Sequence, residues 1–293
     1  MKKKSYSKGE LKARRGLKYL TIFALIVIII TILFFVFVVF KNNIITEKID
    51  YSATEVSDDV VSNSTPIILN NIVLGAVYNN TWVAPESYYF RNQNKLTSID
   101  IYNESGKKGK YNITNFTSPD TTGAYYVTTN NPNSKEEFFA VGSSDENIMM
   151  QSSTKQLTIT DEDIEIVKDA LGKYLVLNTT VKINSIHNVV LNSQNRGKII
   201  CVTNEVGKSS GAYSAVVYVS NFGDSKIVKY NYVKNLAKSS DWPIYSFKFA
   251  ADLNKDGMND LIIQETREFE VKYDVIEFRN DKFVEVLSTK VKI

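Results

Sequence analysis

Five residues near the C-terminal end of this chain have the types and spacing to hold a hard cation. They are Asp252, Asn254, Asp256, Met258 and Asp260, within Ala251-Asp252-Leu253-Asn254-Lys255-Asp256-Gly257-Met258-Asn259-Asp260-Leu261-Ile262-Ile263. Counted from Asp252, side-chain oxygens recur at positions 1, 3, 5 and 9, and Gly257 permits a sharp turn after the third of them. Calcium gathers about six to eight oxygens, and alternate side chains of a tightly coiled loop point inward to supply them. Asp252, Asn254, Asp256 and Asp260 would give side-chain oxygens and Met258 its carbonyl. An EF-hand places a bidentate Glu at position 12 and runs on into a helix; here Ile263 holds that position, inside the β-rich run Leu261–Gln264. A plain Asx-rich hairpin turn around Lys255-Asp256-Gly257 is the competing reading of the same residues.

At these residues the chain resembles the calcium loops of FG-GAP and VCBS-type repeats, the β-propeller repeats of integrin α chains and many bacterial surface proteins. Their D-x-[DN]-x-D-G-x-x-D loop, set between two strands, is matched by Asp252, Asn254, Asp256, Gly257 and Asp260. The resemblance spans roughly Ser246 to Thr289, and Phe222-Gly223 is a lone FG pair. It implies calcium as the cofactor and propeller-like strand units around the loop.

Other chemistry is thinly represented. His187 is the only histidine, and its setting, Asn184-Ser185-Ile186-His187-Asn188, carries no nucleophile motif. One His and one Cys are too few for a His-based zinc site. Cys201 sits in Lys198-Ile199-Ile200-Cys201-Val202, which reads as a buried strand with a packing role. No phosphate-binding glycine loop appears, and no catalytic residue is assigned. Paired carboxylates of the glycosidase kind leave a cell-wall hydrolase as an alternative.

The elements that must position the loop lie outside a membrane if the first forty residues are read at face value. Leu20–Phe40 is LTIFALIVIIITILFFVFVVF, uncharged, and at about 1.5 Å per residue it spans roughly 30 Å, one hydrocarbon core. Lys2, Lys3, Lys4, Lys8, Lys12, Arg14, Arg15 and Lys18 precede it against one acid, Glu10, which predicts an N-terminus inside and a C-terminal domain outside. The apolar run is longer than a signal h-region and ends without an A-x-A-like site, so an uncleaved single-pass signal anchor at the cell membrane is expected. Removing the tail from the 35 basic and 32 acidic residues leaves 27 and 31, hence about −4 outside. The pI therefore reports topology and gives no reason to invoke nucleic acid. Membrane lipid, met by residues 19–40 and the basic tail, is the partner it does predict.

The expected organisation is a basic tail over 1–18, a transmembrane helix over 19–40, a stalk over 41–66, a β-rich region over 67–155, and a short helix plus β repeats over 156–293. Strand-length runs bounded by Gly, Asn and Pro begin at Ile67–Leu69 and Ile72–Tyr78 and recur to the C-terminus. Thr160 with Asp161, Glu162 and Asp163 starts one helix, and Gly172 offers its stop. Tyr213–Tyr218 with Lys226–Tyr230 resembles Tyr273–Phe278 with Lys282–Val286 at an offset of about 60 residues, the size of a four-stranded unit. The fold class expected is thus mainly β: one N-terminal transmembrane helix, then an extracytoplasmic antiparallel β domain, propeller-like or of sheet repeats, with one short helix. The function expected is a membrane-anchored, calcium-stabilised module of a bacterial surface that binds a protein or cell-wall polymer. The outer part of a signalling or assembly complex is a further alternative.

Overall fold

A computed structural model describes residues 57–92, 95–103, 106–117, 123–131, 139–142, 156–172, 181–204, 212–233 and 242–293. A short helix, α1 (Asp58–Asn63), leads into strands β1 (Thr65–Leu69), β2 (Ile72–Tyr78) and β3 (Thr81–Val83). Helix α2 (Pro85–Asn92) follows, then β4 (Ser98–Asn103), β5 (Gly106–Thr117), β6 (Tyr126–Thr129) and β7 (Phe139–Gly142). These strands run β1-β7-β4-β5-β6-β2, and the β1–β2 pairing closes them into a six-stranded barrel, with β3 added on the far edge of β2. The tight β1–β2 and β2–β3 turns are made by Asn70-Asn71 and Asn79-Asn80, all four at positive φ, which asparagine tolerates. Ile68, Val73, Val83, Ile99, Ile101 and Val127 fill the barrel. Alternate residues of the same strands, among them Ile67, Leu69, Leu74 and Phe139, point the other way into a second core.

Helix α3 (Asp161–Leu171) opens the second half. Thr160 and Asp163 form a capping box: the Thr160 Oγ1 accepts from the Asp163 N–H at 3.3 Å, and the Asp163 carboxylate accepts from the Thr160 N–H at 3.0 Å. Gly172 keeps a right-handed φ of −53, so the left-handed freedom of glycine is not used at this end.

Strands β8 (Val181–Val190), β9 (Arg196–Asn204), β10 (Ala212–Ser220) and β11 (Ser225–Val233) form one four-stranded meander. Strands β12 (Ile244–Ala251), β13 (Asp260–Thr266), β14 (Glu270–Arg279) and β15 (Lys282–Lys292) form another. The internal similarity noted in the sequence falls on the third and fourth strands of the two meanders.

The layers stack in the order barrel, second meander, first meander, helix. Phe249, Ile262, Val275 and Leu287 of the second meander pack on the outer face of the barrel. Its opposite face, through Phe247, Ile263, Ile276 and Phe278, packs on Ile199, Cys201, Val216 and Tyr218 of the first. The far face of the first meander is covered by Val167 and Leu171 of α3. A sheet buried on both faces explains why Leu261-Ile262-Ile263 reads as a continuous apolar run and not as an alternation. The barrel touches the second meander closely at Gly75 (φ +147), where an added Cβ would lie 2.6 Å from Leu287 Cδ1 and 2.7 Å from the Val83 carbonyl oxygen.

The architecture corrects the expected fold class. Strands β1, β2 and β4 to β7 close into a barrel where propeller-like or repeated sheets were expected, and among the described residues there are three short helices where one was expected. The barrel closes through long-range pairings such as Ile67 with Val141, which leave no local mark on the sequence. Helix α1 and the start of β1 fall within the stretch read as stalk. Among the described residues no helix is long and apolar enough to cross a membrane. The expected transmembrane helix, 19–40, and the basic tail lie outside the described residues.

Candidate metal centre

The Asp252–Asn259 loop joins β12 to β13, two neighbours in the buried middle layer. Its coil is held by its own side chains. Asp252 accepts from the Asp256 N–H through Oδ1 at 3.1 Å and from the Gly257 N–H through Oδ2 at 3.0 Å. Asn254 Oδ1 accepts from the Asp256 N–H at 3.1 Å, and Asp256 Oδ1 from the Met258 N–H at 2.8 Å. Asp260 Oδ2 accepts from the Leu253 N–H at 3.1 Å. Lys255 (φ 64) and Gly257 (φ 85) take the left-handed conformations that wind the loop tightly. The alternation expected from the sequence holds in part: Asn254 is buried and Lys255 exposed, whereas Leu253 is buried in the core and Asp256 is exposed. The Met258 side chain turns away, its sulfur accepting from Asn192 Nδ2 at 2.8 Å. Asn259 ties the loop to the first meander, donating from its side chain to the Val190 carbonyl at 2.7 Å and from its backbone to that of Leu191 at 2.7 Å.

A further carboxylate stands here that the loop motif does not contain. In the β13–β14 register Leu261 faces Ile276, so Asp260, one step earlier, faces Glu277, one step later. Asp260 is 0% exposed and Glu277 6%, two acids directly opposite on the barrel side of a buried sheet. Like charges in that relation repel. Asp260 Oδ1 is buried and accepts no hydrogen bond, and the same is true of Glu277 Oε2, which has Arg279 Nη1 at 3.4 Å. Burial raises Asp260 well above the usual carboxylate range, and Asp256, Glu277 and Asp252 push it the same way against the Leu253 N–H. Burial also raises Asp252, to which Asp256 adds, and raises Glu277 against the favourable charge of Arg279.

Among the described residues no group of three or more His, Cys, Asp or Glu side chains is arranged to hold a metal ion. Asn254 points its Nδ2 donor toward Asp256 Oδ2 at 3.1 Å and toward Glu277 Oε1 at 3.4 Å, an amide standing where positive charge is wanted. The orientation is fixed from both ends, since the Asn254 Oδ1 accepts from the Asp256 N–H at 3.1 Å. As arranged here the carboxylates do not form a metal-holding group, and one oxygen of the group, Asp260 Oδ1, is left buried and without a hydrogen bond.

Beside the loop a cleft of about 410 Å³ opens against the barrel, bordered by Tyr78, Asn79, Asn80, Asn254 and Lys255 over an apolar floor that includes Leu253.

The other candidates take structural places. Cys201 is fully buried and its thiol is raised to about 11, chiefly by burial, which makes it inert. His187 packs its ring against Phe247, centroids 5.5 Å apart, between the two meanders. No protein-family model, no curated protein and no solved structure matches the chain.

Proposed function

We propose that this chain is a calcium-stabilised binding module, held on the outer side of a cell membrane, that recognises a protein or a cell-wall polymer. One observation carries the cation: Asp260, fully buried, has an oxygen without a hydrogen bond and an acid directly across the ladder. A buried carboxylate so placed calls for a proton or a metal, and the Asx-wound loop around it supplies the further oxygens of a calcium site. The match to the FG-GAP and VCBS-type loop supports the same ion. The cleft beside the loop supports recognition, because its amides, its phenol and Lys255 can hydrogen-bond a polar chain lying over the apolar floor. Placement outside the membrane rests on the uncharged run Leu20–Phe40 and the basic residues before it.

Two experiments test this. Protease added to intact cells should remove the region from Ser57 onward; full protection in intact cells and cleavage only after lysis would contradict the placement. Full-length protein in detergent micelles should co-sediment with purified peptidoglycan sacculi, or capture a surface protein, more strongly in calcium than in chelator. Equal and negligible recovery of both in calcium and in chelator would defeat the binding reading.

A further inference from the structure

The cleft beside the loop has no open strand edge along its walls. Those walls come from β1, β2 and β7, and each strand is paired on both sides: β1 with β2 and β7, β2 with β1 and β3, β7 with β1 and β4. No row of backbone N–H and C=O groups is therefore offered there to an added peptide strand. A ligand that enters meets side chains. The volume of about 410 Å³ suits a short segment of a chain and not a folded partner.

Thr65, Tyr78, Asn79, Asn80 and Lys255 bring a hydroxyl, a phenol, two amides and an ammonium to this cleft, and among the described residues no carboxylate lines it. Among the described residues the side chains of Thr65, Tyr78, Asn79 and Asn80 hydrogen-bond to no protein group. Asn63 and Asn254 border the cleft too, but their amides are engaged. Asn63 Nδ2 donates to the Asp59 carbonyl and carboxylate, each at 2.9 Å, and Asn254 is bonded at both ends within the loop. Asn79 (φ 45) and Asn80 (φ 61) form the two-residue turn between β2 and β3, closed by the pairing of Tyr78 with Thr81, which fixes the backbone that carries both amides. Beneath them Ile67, Val141 and Leu253 make a buried apolar floor.

We propose that this cleft binds a segment of an acetamido-substituted, acid-bearing glycan, with Tyr78, Asn79 and Asn80 reading its hydroxyl and acetamido groups and Lys255 its acid. This rests on the binding-module reading above and names the ligand class; it does not depend on a metal. Amides and a phenol both donate and accept, as the hydroxyl and acetamido groups of a sugar do. The apolar floor takes the C–H face of a ring or an acetyl methyl. A cation with no acid beside it in the lining suits a carboxylate on the chain. An extended peptide would be read through its backbone, and these walls have no edge to read it with.

The test is isothermal titration calorimetry on full-length protein in detergent micelles with three probes: peptidoglycan glycan strands stripped of their stem peptides, neutral chitooligosaccharide, and the released stem peptides. The stripped strands, which carry both acetamido groups and carboxylates, should bind most tightly, the neutral oligosaccharide more weakly, and the peptides not at all. Tyr78→Phe keeps the ring, and Asn80→Gly keeps a residue suited to the positive φ of the turn, so the failure of one to fold leaves the other to answer. Each should weaken binding of the stripped strands by about 3- to 10-fold, the loss of one hydrogen bond. Lys255→Gln should remove the preference for the stripped strands over the neutral oligosaccharide. Unchanged affinity in both folded variants of Tyr78 and Asn80, or tighter binding of the stem peptides than of the strands, would overturn the proposal. A parent protein that binds no glycan but still captures a surface protein would overturn this ligand class alone; one that binds neither would overturn the binding reading with it.

Discussion

Replacing Asp260 with Asn should change stability in opposite directions with and without calcium. The amide oxygen of the substituted side chain can still accept from the Leu253 N–H, now 3.1 Å from Asp260 Oδ2, so the local fold is kept. Its charge no longer faces Glu277, and relief of a directly opposed like-charge pair contributes about 0.2–1 kcal/mol. In chelator the variant should therefore be as stable as the parent or slightly more so. In calcium the parent gains RT ln(1 + [L]/Kd). Extracellular calcium modules have Kd values of about 10⁻⁴–10⁻³ M, so at about 10 mM calcium the gain is roughly 1.4–2.7 kcal/mol. For a domain of this size about 1 kcal/mol moves Tm by about 2–4 °C, so calcium should raise the parent by roughly 3–11 °C and Asp260→Asn by little or nothing. Differential scanning calorimetry in calcium, in magnesium and in chelator measures this directly. An Asp260→Asn protein that is several degrees less stable than the parent in chelator, or that keeps the full calcium response, would refute the reasoning from its buried, unpaired oxygen.

Three other outcomes follow from the layers around the site. Lys229 of β11 reaches from the first meander to Asp274 and Glu285 of the second, each at 2.6 Å, with Asp274 fully buried. Burial disfavours the Lys229 charge, but the two acids more than offset it and raise its pKa. Asp274→Ala should cost about 3–5 kcal/mol in denaturant unfolding by leaving a buried cation poorly paired, and a loss below about 1 kcal/mol would show the network to be dispensable. Gly75→Ala should cost about 1–3 kcal/mol, because its φ of +147 and the nearby Val83 carbonyl leave no room for a Cβ; trimming Leu287 to Ala in the same protein should not restore it. Asp163 is buried, which raises its pKa, but hydrogen bonds from Lys198 and Thr160 more than compensate and hold it below 3.8. It therefore stabilises the fold above its unfolded value of about 3.9, and that contribution is lost as pH falls through the folded pKa. An acid titration of Asp163→Asn should be flatter below about pH 4 than that of the parent, and identical curves would contradict the assignment.

The parts that were legible in the sequence are those set by local chemistry. The Thr160–Asp163 box announces α3, and Asn79-Asn80 and Asn280-Asp281 announce hairpin turns; all four of these asparagine and aspartate residues have positive φ. The oxygens at 252, 254, 256 and 260 announce a coiled loop, and its N–H bonds to Asp252 and Asp256 show how those spacings wind it. What could not be read locally depends on pairing at a distance. The long strand β5, Gly106–Thr117, is polar and mostly exposed or half-buried, so no apolar run marks it. Closure of the barrel rests on β1–β7 and β4–β7, which join residues far apart in the chain. Glu277 escaped for the same reason. Only the β13–β14 register brings it opposite Asp260, although an acid among the apolar residues of Tyr273–Phe278 was a signal that could have been followed through the repeat.

The central claim is that the Asp252–Asp260 loop binds calcium, and equilibrium dialysis of the full-length protein in detergent, with metal analysis of both compartments, tests it most directly. One calcium per chain is predicted, with a Kd of about 10⁻⁴–10⁻³ M, and none above background in Asp260→Asn. No calcium above background in the parent at about 5 mM free ion, well beyond that range, would reduce this stretch to an ordinary Asx-rich turn.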